Sequence, residues 1–123
     1  MWEEWIKSAD KRKPTQDELR IIEYLANKAD YKLCPNFREE ISVVPITDDV
    51  ISPLKIIYNM NPTKMNGGLI AGCMFSDTDG VPVGAYLLAN DDNLLLELDF
   101  RKVDYSPVSR IPSCEQMTDI PTW

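Results

Sequence analysis

Acidic side chains are concentrated in one stretch of this sequence, residues 75–100, which reads FSDTDGVPVGAYLLANDDNLLLELDF. The stretch has six carboxylates and contains no Lys, Arg or His. The six are Asp77, Asp79, Asp91, Asp92, Glu97 and Asp99. Carboxylates could bind a metal, form a catalytic acid–base pair or present a negative face to a basic partner. Each of these functions requires different neighbouring residues.

A calcium site requires ligands at fixed positions of a loop, and the turn SDTDG supplies only some of them. With Asp79 and Gly80 as the fifth and sixth positions, Asp77 is the third, but Phe75 takes the first position and Tyr86 the twelfth. Because two charged ligands are missing, a tight turn is the better interpretation. The chain has no histidine and three widely spaced cysteines, so a zinc site also has few ligands. The sequence predicts no metal and no cofactor.

The same residues give little support for a catalytic function. Ser-His and Cys-His mechanisms are excluded because the chain has no histidine. Glu97 and Asp99, two residues apart on a strand, would share a face about 7 Å apart, as in a carboxylate-pair hydrolase. They occupy, however, the polar half of a regular alternation, where ordinary solvated residues are expected. We therefore predict that the protein is not an enzyme.

The charge distribution indicates a class of partner. The formal net charge of −7 lies entirely in residues 36–123, which carry six basic and thirteen acidic residues. Such a surface repels phosphate backbones, so we expect no nucleic-acid partner and instead a basic protein partner. No apolar run approaches the roughly 20 residues that span a bilayer, and the N-terminus is charged throughout. These features predict a cytoplasmic protein with no membrane association.

The elements that position these residues begin with a helix. Thr15 is a good N-cap residue, and Glu18 three positions later completes a capping box. Leu19, Ile22 and Ala26 follow at helical spacing. The pattern predicts a helix over residues 16–29, followed by a connector over residues 31–40.

Five apolar segments then predict strands: ISVVPI, LKIIYNM, GLIAGCMF, VPVGAYLLA and LLLELDF. In the last strand one row alternates with another: Leu94, Leu96, Leu98 and Phe100 with Leu95, Glu97, Asp99 and Arg101. This period of two is typical of a sheet with one buried face, and the short acidic turns between the last three strands favour an antiparallel meander. Four of the six carboxylates fall in those turns.

The predicted fold class is therefore α+β: an antiparallel sheet of about four to five strands with one main helix packed on a face. The length predicts a single domain over residues 1–123. We divide it into an N-terminal segment (1–14), the helix (15–30), the sheet (40–105) and an irregular tail (106–123).

Three stretches carry a resemblance to a known family: DELRIIEYL at 17–25, DTDGVPV at 77–83 and LLLELDFRKVDYSP at 94–107. The chain resembles an uncharacterised family of small bacterial proteins known only as a domain of unknown function. Family members often have Trp where this chain has Arg101. The resemblance implies no activity and no functional residue.

By size and charge the chain is also similar to bacterial immunity proteins, which neutralise a cognate toxin, often a cationic nuclease. That similarity implies a toxin domain as the basic partner, bound by the six carboxylates listed above. One alternative is a small-ligand-binding or enzymatic domain, in which Tyr86, Tyr105 and the Gly67-Gly68 loop border a pocket. A third interpretation is an accessory protein that forms an oligomeric scaffold.

Overall fold

The computed structural model describes residues 11–33, 36–47, 49–58, 67–90 and 94–119. Within these ranges two α-helices, α1 (Gln16–Lys28) and α2 (Phe37–Glu40), precede five strands. The strands are β1 (Ile41–Pro45), β2 (Leu54–Tyr58), β3 (Gly67–Ser76), β4 (Pro82–Asn90) and β5 (Leu95–Lys102). A short 3₁₀ helix, Cys114–Gln116, lies in the C-terminal segment.

The main helix forms as its local sequence predicts. The Thr15 side chain accepts a hydrogen bond from the backbone N–H of Glu18, and the Glu18 carboxylate accepts one from the backbone N–H of Thr15. These bonds satisfy two N–H groups that have no partner within the helix. Beyond Lys28, Asp30 takes a left-handed conformation (φ 55°), and Tyr31 N–H donates to the carbonyl of Ala26 at 2.8 Å. That left-handed residue ends the helix, as a Gly or Asn commonly does.

The five strands form one antiparallel sheet in the order β1-β2-β5-β4-β3. The β3–β4–β5 meander and the α+β fold class are confirmed. β1 and β3 are the outer strands, and β1 ends at Pro45, a residue that within sheets is confined mainly to edge strands and strand ends. Helix α1 packs on β3 and β4.

The core lies between α1 and one face of the sheet. Ile21, Ile22 and Leu25 of the helix are fully buried there, together with Val83 and Leu87 of β4. Val108, Ile111 and Met117 of the C-terminal segment close the core from one side. The C-terminal segment is thus held against the core by apolar side chains.

Two details differ from the sequence prediction. The connector contains the short helix α2, whose Phe37 is buried in the core. The pairing of β5 with β4 shifts register between Leu88 and Ala89. As a result Leu95 lies in the core cluster, although the simple alternation predicted Leu96 at that place. Such a bulge interrupts the alternation of faces, so Leu95 before it and Leu98 after it both point into the core. Among the described residues no helix is both long and apolar enough to cross a membrane.

Candidate functional site

The structure describes four of the six carboxylates, and it separates them into two pairs. Asp77 and Asp79 lie in the β3–β4 turn, whereas Glu97 and Asp99 lie on the sheet face that points away from α1. Asp91 and Asp92 lie outside the described residues. The two described pairs have different surroundings.

Glu97 and Asp99 each contact a cation on the sheet. Lys55 Nζ lies 2.9 Å from Glu97 Oε1, and these two residues are register partners between β2 and β5. Arg101 Nε donates to Asp99 Oδ2 at 2.9 Å. The carboxylate side chains are only 19% and 14% exposed. Glu97 thus takes its cation from the neighbouring strand β2 and Asp99 takes its cation from its own strand, and both cations lie outside the acidic stretch.

The turn after β3 has the geometry that its sequence predicts. Asp77 N–H donates to the Val81 carbonyl at 3.0 Å, and Gly80 N–H donates to the Asp77 carbonyl at 2.9 Å. Gly80 has a φ of 82°, which a residue without Cβ adopts readily. The Asp79 carboxylate accepts from Val81 N–H at 3.1 Å. The interpretation of Asp77 and Asp79 as turn residues is confirmed.

Lys102, at the end of β5, joins this turn to the C-terminal segment. Its Nζ donates to Asp77 Oδ2 at 2.9 Å, to Asp79 Oδ2 at 2.7 Å and to the Pro107 carbonyl at 3.3 Å. Asp77 Oδ2 also accepts from Ser109 N–H at 2.8 Å. The Lys102 and Asp77 side chains are 3% and 0% exposed. We call Asp77, Asp79, Lys102 and Ser109 the Lys102 network.

The ionisation of this network follows from its contacts. Burial by itself would raise the pKa of Asp77, but the Lys102 ammonium and the N–H groups of Ser109 and Thr78 hold that pKa below its usual value. The hydrogen bond to Asp79 raises the pKa of Lys102, and the bond to Asp77 adds to this effect against the opposing effect of burial. Both groups are therefore charged at neutral pH.

Beyond the network the chain projects a short loop, residues 103–106, which we call the β5 tip. Val103 and Tyr105 are 62% and 96% exposed, although both carry large apolar side chains. Val103 N–H donates to the Pro82 carbonyl at 3.0 Å, and Tyr105 N–H donates to the Lys102 carbonyl at 2.9 Å. The backbone of the β5 tip is thus hydrogen-bonded while two of its apolar side chains face solvent.

Tyr105 also has an unusual backbone conformation, with a φ of 64°. An aromatic residue in the left-handed region is uncommon and costs about 1–3 kcal/mol. At Asp30 the same conformation ends a helix, but Tyr105 follows a strand and ends no helix. The Asp104 carboxylate fixes the tip by accepting from Ser106 N–H at 3.0 Å and from Ser106 Oγ at 2.6 Å. The result is an exposed aromatic ring carried on a hydrogen-bonded backbone.

The β5 tip and Lys102 were not predicted as functional residues. The sequence did contain one indication for Lys102. In the alternation of β5 it falls on the same face as Leu98 and Phe100, so its ammonium is expected to point inward. A buried ammonium requires carboxylate partners. The sequence contains no comparable sign that Tyr105 is exposed.

The residues proposed for a ligand pocket do not come together. Gly68 pairs with Ala89 at one end of β4, while Tyr105 lies beyond the opposite end of the sheet. Tyr86 covers Gly84, its neighbour on the same strand. That version of the pocket is wrong, because strand register fixes these residues at separate positions.

A cleft of about 500 Å³ lies elsewhere, between the C-terminal part of α1 and α2. Charged and aromatic side chains dominate its lining, among them Glu23, Tyr31, Lys32 and Arg38. Glu23 and Arg38 form an ion pair across it. In the part of the chain that the structure describes, no group of three or more His, Cys, Asp or Glu side chains could hold a metal ion.

Comparisons with curated proteins and with solved structures gave no match. The sequence profile of a family described as "Domain of unknown function (DUF6984)" matches residues 11–112. The matched range includes α1, all five strands, the Lys102 network and the β5 tip. The chain belongs to the DUF6984 family.

Proposed function

We propose that this chain is a non-enzymatic protein-binding protein and that the β5 tip is the centre of its contact surface. The observation that carries the proposal is Tyr105, a 96% exposed aromatic residue whose strained backbone is fixed by the fold. Aromatic side chains dominate the binding energy of many protein interfaces. A loop whose backbone is already ordered loses little conformational entropy when a partner covers it.

The ionisation of the Lys102 network supports binding over catalysis. A general acid or base works best with a pKa near the operating pH. In this network the pKa of Asp77 is lowered and that of Lys102 is raised, so both move away from neutrality. The network therefore suits a structural support for the tip better than a proton-transfer site.

The charge of the region supports a basic partner. Within the network and the tip, three carboxylates (Asp77, Asp79 and Asp104) face one ammonium (Lys102), which leaves a formal surplus of two negative charges. The Asp79 side chain is 49% exposed, and Asp104 is exposed. An acidic rim around an apolar centre speeds encounter with a cationic protein and fixes its orientation.

The more specific proposal is an immunity protein that neutralises a cognate, cationic bacterial toxin domain, in the cytoplasm. Its support is the acidic surplus of residues 36–123 and the apolar tip with carboxylates beside it. In this proposal the toxin buries Tyr105 and Val103, while Asp79 and Asp104 meet basic side chains.

The test is binding to the protein encoded by the adjacent gene, measured by calorimetry with the native chain and with Tyr105→Ala. Loss of a central aromatic contact should weaken affinity by about tenfold or more. Val50→Ala is the matched control, because Val50 is 88% exposed and lies outside the β5 tip. Equal affinity for the native chain and Tyr105→Ala would contradict a contact at the tip.

The predicted contribution of Asp91 and Asp92, which lie outside both the β5 tip and the described residues, is tested separately by charge reversal at these two positions. An electrostatic contact predicts a slower association rate and a weaker dependence of affinity on salt. If neither quantity changes, these two residues do not contribute to the contact.

The cleft between α1 and α2 favours a second candidate function, the binding of a small polar ligand. Its volume of about 500 Å³ is within the range of ligand sites, and its lining offers both charges and aromatic rings. A thermal-shift screen with metabolites tests this candidate, because a ligand of the folded state raises the melting temperature. Arg38→Ala should abolish any such rise.

A further inference from the structure

β3 is an outer strand, and only part of its outer side has a partner among the described residues. Met74 exchanges two backbone hydrogen bonds with Thr118, both of 2.8 Å, and the Ser76 carbonyl accepts from Arg110 Nη2 at 3.0 Å. From Met74 towards Gly67, no described residue outside β4 pairs with the strand. We call residues 67–72 the open β3 edge.

The open β3 edge lacks the features that usually prevent strands from pairing with other chains. All ten residues of β3 are uncharged and none is proline. Leu69 is 60% exposed, and Gly68 is exposed as well. Natural edges are commonly protected by charged side chains, proline or a covering segment. Among the described residues, the only such feature along residues 67–72 is the register shift between Leu69 and Ala71.

The opposite edge of the same sheet is protected. β1 has five residues and ends at Pro45. Arg12 exchanges two backbone hydrogen bonds with Val43, at 3.1 and 2.8 Å. Lys13 Nζ donates to the carbonyls of Glu39 and Ile41, where β1 begins. Proline, a covering segment and two cations thus guard one edge, whereas in the described part of the chain none of these lies along residues 67–72 of the other.

We propose that the open β3 edge pairs with the same edge of a second copy of this chain, forming an antiparallel twofold dimer with a continuous sheet. The absence of charged side chains on β3 favours this occupant. In a twofold dimer, a charged side chain on β3 would lie near the identical side chain of the second copy and be repelled by it. β3 has no charged residue, so this repulsion does not arise. A basic polypeptide, in contrast, would find no carboxylate on this strand. The dimer is independent of the proposed tip contact, which lies at the other end of β3.

The dependence on salt separates this contact from the proposed one with a basic partner. Each copy carries a formal charge of −7, so the two copies repel each other at low ionic strength. Salt screens charges over about 8 Å at physiological strength. The dimer should therefore become tighter as salt is added, whereas binding of a basic partner should become weaker.

The experiment is sedimentation of the full chain from low to high micromolar concentration, at low and at physiological salt. The expected result is a shift from 14.1 kDa to twice that mass, with tighter association at the higher salt. Leu69→Lys places like charges near the twofold axis and should weaken dimerisation by at least about tenfold. Val50→Lys is the control, because it adds the same charge at an exposed apolar residue away from this edge.

Hydrogen exchange supplies a second readout that does not depend on a variant. Amides of residues 67–72 should gain protection with increasing protein concentration, and those of β1 should not. Three results would overturn the proposal: a native chain that stays at 14.1 kDa at every concentration, a Leu69→Lys variant that dimerises like the native chain, or no added protection at residues 67–72. None of them bears on the tip contact, which is tested with Tyr105→Ala.

Discussion

The two described pairs of carboxylates, Asp77 with Asp79 and Glu97 with Asp99, come from one acidic stretch, but they have different physical roles. Asp77 is fully buried and joins a turn, a strand end and the C-terminal segment through Lys102. Glu97 and Asp99 each form one ion pair on an outer face of the sheet. The comparison shows that the number of contacts made in the interior, and not the residue type, determines how much a carboxylate matters to the fold.

The largest expected effect is at Lys102. Lys102→Met leaves the Asp77 carboxylate buried without its cation and should lower the melting temperature by roughly 10–20 °C, because an uncompensated buried charge is strongly destabilising. Lys55→Met, the matched change on the other pair, should lower it by only a few degrees. Thermal unfolding followed by circular dichroism measures both.

A second variant shows whether the unpaired charge or the altered packing causes the loss of stability in Lys102→Met. Adding Asp77→Asn to Lys102→Met removes the buried negative charge and should restore part of the lost stability. Equal melting temperatures for Lys102→Met and Lys55→Met would remove the distinction between the two pairs.

The next largest effect is expected when the pH is lowered, because the protein should lose stability in acid. The pKa of Asp77 is lowered in the folded state, so the unfolded chain binds a proton at higher pH than the folded chain does. The stabilisation that Asp77 contributes is therefore fully present above its pKa in the unfolded chain, about 4. It is lost as the pH falls through the lower pKa of the folded chain. Chemical unfolding from pH 6 to pH 2 should show this decrease.

Asp77→Asn is the control for the acid effect, because it removes the titrating group. Its stability should fall less steeply over the same pH range than that of the native chain. Parallel curves would indicate that carboxylates outside the Lys102 network account for the acid sensitivity.

The smallest effect is expected for the ion pair between Lys55 and Glu97. These two side chains are 18% and 19% exposed, so water screens their attraction in part. A double-mutant cycle with Lys55→Met and Glu97→Gln should give a coupling free energy of about 0.5 kcal/mol, which decreases as salt is added. A coupling free energy above about 2 kcal/mol would place this pair in the same class as the Lys102 network.

Much of the fold could be predicted because its determinants are local. The capping box of Thr15 and Glu18 fixed the start of α1, and the Asp-Gly turn at residues 79–80 fixed the β3–β4 connection. The antiparallel meander follows from short turns between apolar strands. The short helix α2 and the shift to Leu95 were missed, because both depend on how side chains fit into the assembled core.

The candidate site could be predicted only in part. The sequence marked Asp77 and Asp79 as turn residues, and this is confirmed by their hydrogen bonds. It did not indicate that Lys102 contacts both, since the ammonium comes from a different strand, 25 residues beyond Asp77. The partner expected from the acidic stretch stays a prediction, with a surface now centred on the β5 tip.

The sequence by itself determined the main helix, the Asp-Gly turn and most of the strand alternation, since these depend on neighbours within a few residues and on a period of two or 3.6. Only the tertiary structure decided which cation meets which carboxylate, which edge of the sheet stays open and which side chains of the β5 tip face solvent. Those features arise when segments distant in sequence come together. Their free energies depend on burial and on strand register, which a local pattern does not contain.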